Sequence, residues 1–500
     1  MNYVIAVDLG TTSTKAVAFG TDGSVLSSRS VSYPILSPKP NWSEQKPQLI
    51  FEAMLDTIRA IVRKQKKAGH KLVGVGFSSA MHGLMAADQS GHNLTNCMIW
   101  ADSRSQQQAL KLRSTKEGLR IYRKTGTPIH PMSPLCKLLW IRQNNRSLLR
   151  SAAKFISPKE YIFKKLFGEY WIDYSIASAT GLFDIFALKW DAQALKLAGI
   201  DPTQLSSPVS PLSIHVGLNK HYAEQMNIDR DVPFVIGASD GCLANLGSGA
   251  IRPGAAAVTI GTSGAIRVIS AKPKTDPKQR IFSYLLTPEH YALGGAINNG
   301  GIALSWFLGD FYGTQPKSEI YTQYFKKAQR IPAGAEGLIC LPYLLGERAP
   351  HWNANARGVF FGVHISHTRD HFFRALLEGI ILSLYDVSQA LESIVCPVDR
   401  IYPTGVIARN PFWLQMLADV FGKKVLVPDA FESSCMGAAI LAMRALNIIP
   451  RIENVEQMVH IKKRIEPNGS LHKKYRAHYQ LFKELYTRLE SMFPNIAALT

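Results

Sequence analysis

Apolar and polar positions along this chain follow two rhythms, one of period two and one near 3.6, and the rhythms take turns. Tyr3–Val7 is an apolar, β-branched run that breaks at Asp8-Leu9-Gly10-Thr11-Thr12-Ser13-Thr14-Lys15. A second strand, Lys15–Phe19, turns at Thr21-Asp22-Gly23 into Ser24–Ser28. The opening therefore predicts a β-hairpin with a hydroxyl-rich loop, not a strand entering a helix. Residues 48–63 carry Ile50, Met54, Leu55, Ile58, Ile61 and Val62 at helical spacing. Lys71–Phe77 predicts a buried strand that ends at Ser78-Ser79-Ala80-Met81-His82-Gly83. Further on, Pro411 opens a helix with Trp413, Met416, Leu417 and Val420 along one face. The last forty residues predict a long helix bearing Leu471, Tyr475, Tyr479, Phe482, Leu485 and Leu489. Strands alternating with helices indicate an α/β architecture.

One internal echo bears on domain organisation. Ala257-Val258-Thr259-Ile260-Gly261-Thr262-Ser263-Gly264 repeats the opening strand and its Gly-Thr-Thr-Ser turn about halfway along the chain. It suggests two domains of related design, each placing a hydroxyl-rich turn at a shared cleft. Gly247–Gly254 is turn-forming, so the expected division is 1–247 and 248–500. A chain of 500 residues also exceeds one ordinary domain.

Composition narrows the class. Apolar residues at 46% and charged residues at 19% suit a chain with a substantial core and exclude a disordered or collagen-like one. No run reaches the eighteen or so apolar residues of a membrane span, and the first residues lack the pattern of a signal peptide. Six cysteines (97, 136, 242, 340, 396, 435) lie far apart without a CxxC, as expected for reduced thiols in the cytoplasm. The charge stands out: 57 Lys plus Arg against 37 Asp plus Glu, a net +20. The basic residues are scattered, and the densest runs (63–67, 462–464, 473–476) are not interleaved with aromatics. Nucleic acid is therefore not the expected partner; a generally basic surface or an anionic small molecule is. A homodimer is compatible with the sequence, which contains no stripe that separates an interface from a core.

Two stretches carry candidate chemistry. A Gly-Thr-Thr-Ser loop after a strand presents N–H groups and hydroxyls that can cradle phosphate oxygens, although a plain polar hairpin reads the same way. Asp8 at the strand end suits Mg²⁺, which prefers oxygen ligands and keeps its waters, and Lys15 adds positive charge. The GxxxxGK[ST] spacing is absent. Asp240 follows the apolar run Val235–Ser239 and precedes the small-residue segment Gly241–Gly247. It is placed either to take a proton from a hydroxyl as general base or to cap a helix.

With these residues in view, the chain resembles the FGGY carbohydrate kinases over essentially its whole length. The resemblance rests on Asp8–Lys15, on Met132-Ser133-Pro134-Leu135-Cys136-Lys137-Leu138-Leu139-Trp140-Ile141-Arg142-Gln143-Asn144, on Gly358–Val363 with His371-Phe372 and Ala375–Glu378, and on Thr404–Asn410. It implies two actin-like (ribonuclease-H-like) domains around a central cleft where ATP and sugar meet. It implies that Asp240 is the catalytic base and that Asp8, with Asp240, is associated with Mg²⁺. Phosphate contacts are implied for Gly10, Thr11, Thr12, Ser13 and Lys15 on one side and Gly261 and Thr262 on the other. Gly405 and Arg409 align with the segment against the adenine, where Thr404 stands in place of the first glycine of a frequent Gly-Gly pair.

For the substrate, Ser79–Gly83 is similar to segments of both xylulose kinases and gluconate kinases, as is Trp100–Arg104. Thr127–Pro134 and Gly346–Asn353 look more like gluconate kinases. The implied substrate is a sugar or sugar acid, D-gluconate before D-xylulose or another ketose or polyol. Met81, His82, Arg104, His130 and Met132 are the expected substrate contacts, with Arg104 and the two histidines as candidates for a carboxylate. A non-catalytic actin-like ATP-binding module is the remote alternative; both carboxylates are present, which argues against it.

Overall fold

The computed structural model describes residues 1–314, 318–429 and 432–499. Its contacts divide the chain into two compact units: 1–251, 270–292 and 432–459 form the first, and 252–269, 293–431 and 460–500 the second. Neither unit is continuous in sequence. The segment 432–459 returns to the first.

In the first unit, β1 (Asn2–Leu9), β2 (Ser13–Gly20) and β3 (Val25–Ser32) form an antiparallel meander. The helix Pro47–Lys67 then crosses to β4 (Lys71–Ser79), which pairs parallel to β1. That helix has proline in its first turn and Lys64, Lys66 and Lys67 in its last, where cations face the negative end of the helix dipole. Its buried face holds Ile50, Met54, Ile58, Ile61 and Val62 against the sheet. Each such side chain stabilises the fold by about 1.5–3 kcal/mol. The short strand β5 (Ile214–His215) and β6 (Phe234–Ser239) complete the sheet order β5-β6-β4-β1-β2-β3. The helix Ser433–Ala445 packs on the sheet and on the helix Asp240–Gly247 through small residues. A side-chain carbon on Gly437 would lie 2.2 Å from the Leu243 carbonyl oxygen, and one on Gly247 1.9 Å from that of Ser433. The small-residue character of both helices comes from this close approach.

In the second unit, β7 (Ala255–Ile260) and β8 (Gly264–Ser270) form a hairpin, followed by β9 (His290–Ile297), β10 (Arg400–Gly405), β11 (Lys424–Pro428) and β12 (Ile461–Ile465). Their order, β9-β8-β7-β10-β11-β12, matches β3-β2-β1-β4-β6-β5 of the first sheet position by position. In both, the hairpin strand pairs parallel to the next crossover strand, and the last strand is antiparallel. The sequence echo at 257–264 is thus one part of a repeated sheet. The predicted strands and helices are all present, most of them a few residues longer than expected. Among the described residues no two cysteines are joined, and no helix is long and apolar enough to cross a membrane.

Candidate active site

Three parallel strands of the first unit end side by side. Register pairs Asp8 with Ser78 and Leu9 with Ser79 on one side, and Ala238 with Ser78 and Ser239 with Ser79 on the other. Carboxyl ends of parallel strands are where α/β sheets place their ligands. Asp8 accepts a hydrogen bond from the Ser78 hydroxyl at 2.5 Å. Burial raises its pKa, the Ser78 hydroxyl opposes this, the Glu432 carboxylate raises it further and Lys15 lowers it. Asp240 is the first residue of its helix, and the N-cap position belongs to Ser239. The helix-cap reading of Asp240 therefore fails. Its Oδ1 accepts from the adjacent Gly241 N–H at 2.7 Å.

The turn after β1 is held from behind. Tyr33 donates to the Gly10 carbonyl at 2.7 Å, Gln45 to that of Thr11 at 2.6 Å, and the Tyr33 N–H to that of Thr12 at 3.0 Å. Trp100 Nε1 donates to the Thr11 hydroxyl at 3.0 Å. Three carbonyls of the turn are thus anchored, and its Gly10 N–H donates to the Ser13 carbonyl at 3.0 Å, closing the turn on itself. Thr12 is exposed and Ser13 half-buried. Lys15 meets Glu432 at 2.6 Å with both side chains about a third exposed. Such a pair contributes 0–1 kcal/mol, so an arriving phosphate can displace it. Glu432 has no signal in the sequence that ties it to Lys15.

The turn at His82, one of the expected substrate contacts, is anchored by one lysine. Lys137, wholly buried, donates to the carbonyls of His82 at 2.6 Å, Met98 at 3.0 Å and Ile99 at 2.8 Å. An ammonium has three N–H donors, and here all three are used. One side chain thus joins the Met81-His82-Gly83 turn, the approach to Trp100, and the helix Pro134–Asn144 that carries it. His82 has φ +68°, a left-handed backbone that this anchoring holds in place. Sequence reasoning placed Lys137 within a signature but gave it no role. A lone lysine in an apolar helix was the available clue.

The two histidines present different faces. His82 Nδ1 lies 2.8 Å from the Ala179 carbonyl, which can only accept, so that nitrogen carries the proton and Nε2 of the neutral ring accepts. His130 Nδ1 accepts from the Met132 N–H at 3.2 Å, which puts the proton of the neutral ring on Nε2 as a donor. Met81 is half-buried and Met132 buried. Arg104, an expected substrate contact, is held in a network of ion pairs. Its guanidinium pairs with Asp102 at 2.7 Å and Glu44 at 2.6 Å, is 4% exposed, and stacks 3.5 Å from the Trp42 ring. These two carboxylates offset the guanidinium charge and fix its position beside Trp42. A narrow pocket beside it is lined by Gly10, Thr11, Gln45, Ser79, Met81 and Trp100, among others.

Beneath His82 a second pocket contains Glu160. Burial pushes the Glu160 carboxyl up to about 7, against donation from Ser206 and Ser157. Because the folded chain holds this proton more tightly than the unfolded one, the stabilisation is complete below pH 4.5 and is lost as pH rises to 7. Glu160→Gln is therefore expected to flatten the loss of thermal stability between pH 5 and 7.5, by an amount on the order of 2 kcal/mol. Melting curves across that range check this; parallel pH slopes for the two proteins would show that Glu160 is already ionised.

In the second unit, β7 and β10 also end together, Ile260 opposite Gly405. Gly405 has φ +81°, and a side-chain carbon there would lie 2.2 Å from the Ile260 carbonyl oxygen, so only glycine fits. The Gly261-Thr262 turn is held by the N–H groups of Gly301 at 2.7 Å and Gly300 at 3.2 Å. Thr404 is 5% exposed, and its hydroxyl meets that of Thr259 at 2.8 Å. The substitution of threonine for glycine is therefore absorbed within the sheet. Arg409 is exposed at the end of the short turn Val406–Arg409. The Gly346–Asn353 segment, which looks like that of gluconate kinases, also supports this turn: Glu347 accepts from the Asn298 N–H at 2.6 Å and the Asn299 side chain at 3.3 Å. The Asn298-Asn299-Gly300-Gly301 run was not singled out in the sequence.

Comparison with known proteins agrees with this arrangement. The N-terminal domain of the FGGY family of carbohydrate kinases matches residues 3–247, and the C-terminal domain of that family matches 256–446. A gluconokinase of Bacillus subtilis is 45% identical, over 99% of this chain and 98% of its own length. A xylulose kinase of the same organism is 29% identical over 98% of both. The crystal structure of gluconate kinase from Lactobacillus acidophilus superposes with a TM-score of 0.94 at 34% identity, covering 99% of each chain.

Proposed function

Since this chain belongs to the FGGY family of carbohydrate kinases, we propose that it transfers the γ-phosphoryl group of ATP to D-gluconate, giving 6-phospho-D-gluconate and ADP. The observation that carries the substrate is the full-length 45% identity to a gluconokinase, against 29% to a xylulose kinase.

In the proposed reaction Asp240 accepts the proton of the C6 hydroxyl as that oxygen attacks the γ-phosphorus and the bond to ADP breaks. In the first unit the Gly10–Lys15 turn offers hydroxyls and the Lys15 charge to phosphate oxygens; in the second, the Gly261–Thr262 turn is the phosphate-side candidate. Gly405 and Arg409 lie against the adenine. Such transfers depend chiefly on positioning and electrostatics. His82 Nε2, as acceptor, suits a sugar hydroxyl, and His130 Nε2–H, as donor, suits a hydroxyl or the carboxylate. Arg104 acts through the wall it holds.

The residues also fit Mg²⁺. Asp8 and Asp240 offer only oxygen, and Asp8 Oδ2 borders Gly10, where a side-chain carbon would come within 3.9 Å of it. Mg²⁺ prefers such oxygen ligands and keeps several of its waters. When bound, Mg²⁺ neutralises phosphate charge.

Phosphorus NMR of the product tests the assignment of the acceptor. Transfer to the primary C6 hydroxyl gives a ³¹P signal coupled to two protons. A signal coupled to one proton would place the phosphate on a secondary carbon and contradict the proposal.

A further inference from the structure

The strand that delivers Asp240 is irregular immediately before it. The pairing of β6 with β4 slips between Val235 and Ala238. At the slip Gly237 has φ +69°, and a side-chain carbon would come within 1.7 Å of the Phe77 carbonyl oxygen. This is a bulge, and a one-residue bulge changes which way the following residues face. The two carbonyls flanking Gly237, those of Ile236 and Ala238, both accept from Lys159 Nζ at 3.2 Å. Asp173 Oδ2 lies 2.6 Å from the same ammonium as its counter-ion, with the two side chains 1% and 0% exposed. Asp173 in turn caps the short helix Tyr174–Ser178 through the Ile176 N–H. From that helix Ser175 Oγ accepts from the Ser239 N–H at 3.1 Å and meets the Ser239 hydroxyl at 2.9 Å. Ser239 is thus pinned directly, and the bulge behind it is pinned by a buried charge.

A buried ion pair is weak evidence for stability, since apolar residues of similar size often do as well. Its retention at this bulge calls for a local purpose. We infer that Lys159, with Asp173 as its counter-ion, is a positioning residue for phosphoryl transfer, fixing the bulge at Gly237 so that Asp240 leaves the sheet aimed at the acceptor hydroxyl. It touches neither substrate nor phosphate. The inference rests on Asp240 being the base.

The test is a double-mutant cycle on turnover. Lys159→Met alone would strand the Asp173 carboxylate, so the first variant is Lys159→Met/Asp173→Asn, in which asparagine still caps the helix. Its kcat with Mg·ATP and gluconate is expected to fall at least tenfold, with KM for each substrate within threefold of the parent. In an Asp240→Asn background the same pair of changes is expected to cost less than threefold, because a residue acting through Asp240 has nothing left to position. Equal losses in the two backgrounds, or a folded variant with parental kcat, would overturn the inference. If the double variant does not accumulate, Asp173→Asn alone is measured in both backgrounds, with a threefold loss expected only when Asp240 is present. Retention of parental turnover by Asp240→Asn itself would instead remove the base, which separates that failure from this one.

Discussion

Asp240→Asn is expected to lower kcat by about 10² or more, the usual contribution of a positioned general base. The change is nearly isosteric, and asparagine can still accept the Gly241 N–H that Asp240 accepts at 2.7 Å. The helix Asp240–Gly247 starts in the same place, because the cap position is Ser239. Thermal stability should therefore stay near that of the parent, while turnover collapses. What the amide lacks is the ability to take a proton as the C6 oxygen bonds to phosphorus. Steady-state rates at saturating gluconate and ATP check this. Turnover within threefold of the parent would remove Asp240 from the mechanism.

Lys137→Met is expected to damage the sugar side and to spare the nucleotide side. The substitution keeps length and apolar volume but removes the donors to the carbonyls of His82, Met98 and Ile99. The carbonyls of Met98 and Ile99 keep the backbone N–H groups of Leu84 and Asp102 as donors, so the loss falls mainly on that of His82 and is expected to be about 1–3 kcal/mol. The turn at His82, with φ +68°, should then move. We expect kcat/KM for gluconate to fall at least tenfold, while KM for ATP changes by less than threefold. Chemical denaturation and initial-rate kinetics measure the two effects separately. A stable variant with unchanged kcat/KM would show that the three carbonyls find other partners and that Lys137 does not organise the sugar wall.

These cases show what the sequence could and could not disclose. Periodicity located the strands because each alternates or runs apolar against a sheet face, and it located the helices Pro47–Lys67 and Gly469–Leu489 through their buried stripes. Asp8 and Asp240 were legible because a carboxylate after an apolar run is conspicuous. Partners distant in sequence were not. Lys15 meets Glu432, 417 positions away, and no local pattern announces that the segment 432–459 returns to the first unit. Arg104 shows the same limit from the other side. Residue type marks it as an anion ligand, yet Glu44, sixty positions earlier, already occupies its guanidinium. Glu347 likewise belongs to the Asn298–Gly301 turn, a contact set by tertiary packing rather than spacing. The net charge of +20 has no local explanation in either unit.

The central claim is that Asp240 serves a kinase whose acceptor is gluconate. An ADP-release assay with Mg·ATP across gluconate, xylulose, ribulose, glycerol and other sugar alcohols tests it most directly. A kcat/KM for gluconate more than tenfold above every other acceptor is expected, as is its loss in Asp240→Asn. A preference for xylulose or a polyol would contradict the assignment of substrate while leaving the fold and the phosphate turns as described.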